Sequence, residues 1–451
     1  MLLYAVAASC AILRVSAARA VDPPPRYAAP KPPRTVDEAR LRAAGIRRLA
    51  ARHLVLYTDL PAEASIDALP EQFDQAVPQW NEYFRDALPP DNQADDWQAV
   101  GYLIKDKARF VASGLLTDEV PEFLHGYSID YEFWFNEQPS EYFRRHLMLH
   151  EGTHVFMRTR LGSTGPPWYM EGMAEWLATH RLHDGRVELA YFPRSRGEVP
   201  YWGRIKIIQD DVAAGKRRWL PEVFRLSPRA YLQTGPYGWS WGAVAMLAGD
   251  PRYRERFREL AGSVNDPEFM RRVAEKLAAD WPQIAAQWQA FVGEIDYGYD
   301  VAAAAIEFAP GEPLSDDGVK LTVDASRSWQ STGVRVEEGK TYRLQAAGRY
   351  QIAHDEVDGR QRIWWCEPGG VSVKYYRGWP LGQLVAAIWP DASPGGAAAP
   401  AKGGDPWRPI AIGLESELVA PSTGTLYLRV NEFPGDMGDN AGELKVEIKQ
   451  Q

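Results

Sequence analysis

His150, Glu151 and His154 form a His-Glu-x-x-His run within residues 144–160, RRHLMLHEGTHVFMRTR. On a helix, residues four apart lie one turn above each other, so the two imidazoles share a face and can hold one metal ion. Glu151, beside the first histidine, can take the proton of a water activated by that metal, the general-base role in a hydrolytic site. A catalytic zinc takes three protein ligands and keeps a fourth position open. Glu171, seventeen positions after His154 in WYMEGMAEW, is the candidate third ligand. A loop and one helical turn suffice to bring its helix beside the first. Glu175, one turn after Glu171 on the same face, can accept a hydrogen bond from a ligand histidine and fix the ring. Were the histidines ordinary core residues, Glu171 and Glu175 would be acids among Trp, Met and Leu without a counter-charge, which is costly. His146, His180 and His183 read as surface residues.

Two helices must carry this set. Pro139-Ser140 is a helix start, followed by a motif helix of about twenty residues. GSTGPP at 162–167 breaks it, and residues 168–180 read as a second helix with Pro167 near its first turn. Upstream, residues 53–58 read as a strand and 66–84 as a helix, with strand pairs expected at 100–111 and 127–135. Helices are expected downstream at 204–214, 238–260 and 281–293. Composition changes near Pro310; strands broken by Gly, Pro, Asp and Asn turns follow at 342–347, 384–388, 424–430 and 442–448. The expected class is α+β: a small sheet with mostly helices over residues 46–306, then an all-β sandwich over 314–451. SPGGAAAPAKGGD at 393–405 is low-complexity.

With 451 residues the chain holds more than one folded unit, and 45% hydrophobic and 25% charged residues are ordinary for globular proteins. A net charge of -9 without a basic run argues against nucleic acid as a partner. Residues 1–20 combine an apolar run with an Ala-Arg-Ala ending, as in a secretory signal peptide. Arg14 interrupts that run, so a misplaced start or a short membrane anchor stays open, and AASC at 7–10 faintly resembles a lipoprotein box. No other stretch is long and apolar enough to span a bilayer. Residues 21–45 read as a proline-rich linker. The expected location is outside the cell or in the periplasm. Only Cys10 and Cys366 are present, so a chain without the leader has one thiol.

His-Glu-x-x-His followed by Trp-x-x-Glu-Gly-x-Ala-Glu resembles gluzincin metallopeptidases, nearest their bacterial peptidase MA-like branch, over about residues 54–296. The resemblance implies zinc on His150, His154 and Glu171, with Glu151 promoting attack of water on a peptide carbonyl of a peptide, protein or glycoprotein. It also implies a downstream tyrosine that stabilises the oxyanion: Tyr237 stands in the matching place and Tyr231 is a second candidate. Residues 329–450 resemble the calcium-dependent galactose-binding lectins of bacteria, on GVRVEEG at 333–339, AAG at 346–348, PLGQL at 380–384 and NEFPGDMGDN at 431–440. That implies a calcium held by Glu432, Asp439 and Asn440 through side chains and by Asp436 and Ile352 through backbone oxygens, with a carbohydrate above it and Tyr350 or Trp365 for stacking. Glu432 stands where the lectin has a shorter acid. Calcium that only stiffens the loop stays open, as do a non-peptidase hydrolase and a carbohydrate-binding surface protein whose peptidase-like half is an inactive scaffold.

Overall fold

The computed structural model describes residues 29–88, 96–391 and 405–451; the expected leader and all but the last residue of the loop at 393–405 lie outside them. The first half opens with α1 (Glu38–Ala43), β1 (Arg47–Ala50), β2 (Leu54–Thr58), α2 (Ala64–Asp67), α3 (Leu69–Tyr83), β3 (Ala99–Ile104), α4 (Lys107–Ala112), β4 (Gly126–Ile129) and β5 (Glu132–Asn136). The strands form one sheet in the order β1-β2-β3-β5-β4. β2, β3 and β5 run parallel, while the outer strands β1 and β4 are antiparallel to their neighbours. β2 is buried at every position, as a parallel strand covered on both faces must be. Leu54, Leu56, Phe133 and Phe135 pack on one face with Phe73 and Trp80 of α3. Val55, Tyr57, Tyr102 and Trp134 pack on the other with Leu41 of α1 and Phe110 of α4.

Two expectations fail here. The proline-rich linker ends before residue 45: Arg34 pairs with Glu132 at 2.8 Å, and α1, capped by the Asp37 side chain, buries Leu41. The strand pair at 100–111 is one strand and one helix, because Asp106 accepts from the backbone N–H groups of Ala108 and Arg109 and starts α4.

The motif helix α5 (Glu141–Phe156) is capped by Ser140 and continues through a π-helical turn, Met157–Leu161. α6 (Pro167–Ala178) begins with proline in its first turn. A hairpin, β6 (Arg181–His183) and β7 (Arg186–Glu188), leads to α7 (Arg204–Ala213), α8 (Leu220–Phe224), α9 (Gly235–Gly249), α10 (Arg254–Arg258), α11 (Phe269–Leu277) and α12 (Trp281–Glu294). The single helix expected over 238–260 is broken because Pro251 forces Asp250 into extended backbone. Two glycines let the helices that carry the histidines and glutamates approach their neighbours. A Cβ on Gly152 would lie 2.4 Å from the Phe73 ring of α3, and one on Gly172 would lie 2.7 Å from the Ser240 carbonyl of α9.

The last third is β-rich. One sheet orders Ile410–Ala411, Leu384–Pro390, Gly424–Val430, Gln330–Val336 and Glu312–Pro313; a second orders Glu415–Val419, Thr341–Ala347, Glu443–Gln450 and Val319–Asp324. Both bury alternate residues, among them Val334, Leu344, Leu428 and Ile448, in one apolar cluster. Two hairpins project from it, Tyr350–Val357 with Arg360–Cys366 and Val371–Tyr376 with Trp379–Leu381.

This β-rich unit is docked rather than tethered. Arg429, fully buried, donates to both carboxylate oxygens of Glu294 at the end of α12, and Arg377 donates to the same carboxylate at 3.1 Å. Trp407 donates to the Ala286 carbonyl at 2.9 Å and stacks between Trp329 and Trp389.

Candidate metal centre

α5 and α6 lie side by side and bring His150, His154 and Glu171 together. The Nε2 atoms of the two histidines are 3.1 Å apart, and Oε2 of Glu171 is 3.3 Å from His150 Nε2 and 3.4 Å from His154 Nε2. A tetrahedral ion with ligand bonds of about 2.0–2.1 Å separates its ligand atoms by about 3.3–3.4 Å. The triangle therefore has the dimensions of one face of such a coordination shell. That Oε2 is buried and has no hydrogen-bond partner, and the two imidazole nitrogens face one another. Burial raises the Glu171 carboxyl, but the histidines beside it outweigh that and hold it down at about 2.

Glu151 is buried next to this triangle. Burial pushes its carboxyl up to about 7, opposed by His154 and aided by Glu171. The outer strand β4 runs along it: a Cβ on Gly126 would lie 2.4 Å from Glu151 Oε1, so a larger residue there would displace the carboxylate.

Behind the triangle, Glu175 faces His150, with Oε1 3.4 Å from Nδ1. Contrary to the sequence-based expectation, this acid has a counter-charge. Arg204, at the start of α7, donates from Nε to Oε2 at 2.9 Å and from Nη2 to Oε1 at 2.7 Å. Burial raises Glu175, and Arg204 and His146 more than reverse it, leaving the carboxyl well below the usual carboxylate range. His146 and His180 are not surface residues. His146 is fully buried with Nε2 3.2 Å from Glu175 Oε2, and His180 is buried, accepting from Arg145 Nε at 2.7 Å and lying 2.8 Å from the Ala178 carbonyl through Nδ1. His183 is exposed as expected. His146 was legible as the first member of a 146, 150, 154 stripe on one helix face; Arg204, far along the chain, carried no local signal.

Tyr237, in the first turn of α9, sets its ring 6.2 Å from the His150 ring and 5.6 Å from the Arg204 guanidinium. Burial and the three glutamates keep its hydroxyl protonated. Tyr231 stands edge-on to Tyr237, and its hydroxyl is engaged by Ser240 Oγ at 2.6 Å.

The loop at 431–440 is arranged differently. Asn440 donates to Glu432 Oε2 at 2.6 Å, Asp439 turns to the His354 backbone N–H at 3.1 Å, and Asp436 is exposed. Burial, with Asp436 and Asp439 adding to it, pushes the Glu432 carboxyl up to about 8. Ile352 sits at a bulge, next to the Gln351 pairing with Ala441, which brings it beside this loop. Tyr350 is fully buried and cannot stack on a sugar, whereas Trp365 is exposed. Among the described residues, the groups of three His, Cys, Asp or Glu side chains near enough to share an ion are His150/His154/Glu171 and His146/His150/Glu175. None of the helices described is long and apolar enough to cross a membrane.

No family model matches the chain, and no curated protein matches it. Among solved structures, one described as an EclA N-terminal domain, a PllA-like lectin, is similar to 30% of this chain over 100% of its own length, with 19% identity and a TM-score of 0.23.

Proposed function

We propose that the chain is an exported zinc metallopeptidase of the gluzincin type. The observation that carries this reading is the triangle of His150 Nε2, His154 Nε2 and Glu171 Oε2, 3.1–3.4 Å on a side, with the Glu151 carboxylate buried beside it. Imidazole and carboxylate donors in this number suit zinc, which when bound supplies Lewis acidity to a carbonyl and to water. Glu151 takes the proton of the attacking water and returns it to the leaving amine. Tyr237 donates its hydroxyl hydrogen to the oxyanion. The outer edge of β4 favours a peptide over other hydrolysable substrates. An extended chain can add to that edge as a further strand, on the strand whose Gly126 lies against Glu151. Zinc content and cleavage of a peptide and glycoprotein library, each with and without chelator, test the reading: one zinc per chain and chelator-sensitive cleavage are expected.

For the β-rich unit, the buried Glu432 with Asp436 and Asp439 nearby supports a calcium ion bound in the loop at 431–440, with a carbohydrate as its partner. A cation relieves the burial and repulsion that raise Glu432. A glycan array read with and without calcium tests it; binding to no glycan in either condition rejects the carbohydrate.

A further inference from the structure

His150 belongs to two ligand triads at once, one with His154 and Glu171 and one with His146 and Glu175. His146, His150 and Glu175 each offer a ligand atom within 4.8 Å of the other two, a looser group than the first but one that could hold an ion. Arg204 already occupies the carboxylate of that triad. Its Nε and Nη2 take one Glu175 oxygen each, the two-pronged geometry that gives Arg–carboxylate pairs their strength. Each oxygen then has one further neighbour, His150 Nδ1 on Oε1 and His146 Nε2 on Oε2. Arg204 is itself anchored, donating from Nη1 to the Trp202 carbonyl at 3.0 Å, and both it and Glu175 are buried.

We infer that Arg204 is a positioning residue, a fixed cation that holds Glu175 in the outer sphere and thereby restricts the centre to a single metal ion on His150, His154 and Glu171. With the guanidinium on its carboxylate, Glu175 is unavailable as a metal ligand and stands instead 3.4 Å behind His150 Nδ1, where it limits the turning of a ring whose Nε2 points into the triangle. This inference rests on the zinc reading and adds to it the residue that sets its one-ion stoichiometry.

The test measures zinc per chain, zinc affinity by competition with a chelator, and the visible spectrum of the cobalt(II)-substituted protein. The unaltered full chain is compared with Arg204→Lys and Arg204→Met. One ion is expected for the unaltered chain. Arg204→Lys retains one ion with a weaker affinity, because the charge remains and the fork is lost. Arg204→Met frees Glu175 for a second ion with His146 and His150, so a count above one ion per chain with shifted cobalt bands is expected, and the first ion is weakened by about 10- to 100-fold, the usual effect of losing an outer-shell partner. If that variant does not fold, Arg204→Met combined with Glu175→Gln removes both charges together, and the same 10- to 100-fold weakening is expected with an unshifted count of one ion. Affinity within about twofold of the unaltered chain, with unchanged cobalt bands, in a folded Arg204→Met or in the double variant overturns the role of Arg204. Failure of the unaltered chain to bind zinc or cobalt instead overturns the zinc reading itself.

Discussion

The α5–α6 centre and the loop at 431–440 both set acids near one another, yet only the first buries them all and brings them to bear on one point. In the centre, three donor atoms on two helices converge within 3.4 Å, and one buried carboxylate oxygen is left without a hydrogen-bond partner. In the loop, Asn440 satisfies Glu432 and His354 takes Asp439, so the acids are drawn apart by partners of their own. Helices fix both ends of each ligand by packing, here through Gly152 and Gly172, whereas a loop lets each side chain find its nearest partner. Convergence of donor atoms, more than the number of acids, sets how tightly each place would hold an ion.

Removing a ligand breaks the first region outright. Glu171→Ala is expected to lose most of its zinc and all measurable turnover, since two histidines rarely hold zinc alone. Metal analysis after dialysis checks this, and full zinc in that variant would show that another residue is the third ligand. The loop is next, through its base. Gly424–Val430 feeds directly into it, and Arg429→Ala strands Glu294 as a buried charge that retains only Arg377. A cost of about 3–5 kcal/mol is expected by denaturant melting. A loss under about 1 kcal/mol would mean that the two halves are not coupled through this pair.

Tyr237→Phe sharpens the comparison within the centre. Its kcat should fall about a hundredfold with little change in KM, because the hydroxyl acts in the transition state. Tyr231→Phe should fall less, as that hydroxyl is already engaged by Ser240; the reverse order reassigns the oxyanion donor. The smallest effect belongs to the loop. Calcium should raise the melting temperature by about 2–4 °C and do nothing for Glu432→Gln, and no shift in the unaltered chain rejects the ion.

Most of the centre was legible because its information is local. Spacing of four on a helix fixes His150 and His154, and the strand signals at 342–347 and 424–430 fall inside observed strands. What failed was long-range or depended on a cap. Arg204 meets Glu175 only because α6 and α7 both pack on α9. His146 read as a surface residue, yet its neighbours Arg144 and Arg145 are themselves buried, Arg144 paired with Glu137 and Arg145 hydrogen-bonded to His180. Asp106 turned an expected strand into α4.

The most direct test of the central claim is cleavage of a peptide library by zinc-loaded protein, unaltered and with Glu151→Gln, with new termini read by mass spectrometry. Defined new termini are expected for the unaltered chain, with turnover reduced by about 10²- to 10⁴-fold in Glu151→Gln at equal zinc content. An intact library with one zinc per chain in the unaltered protein, or equal cleavage by both proteins, would contradict the account.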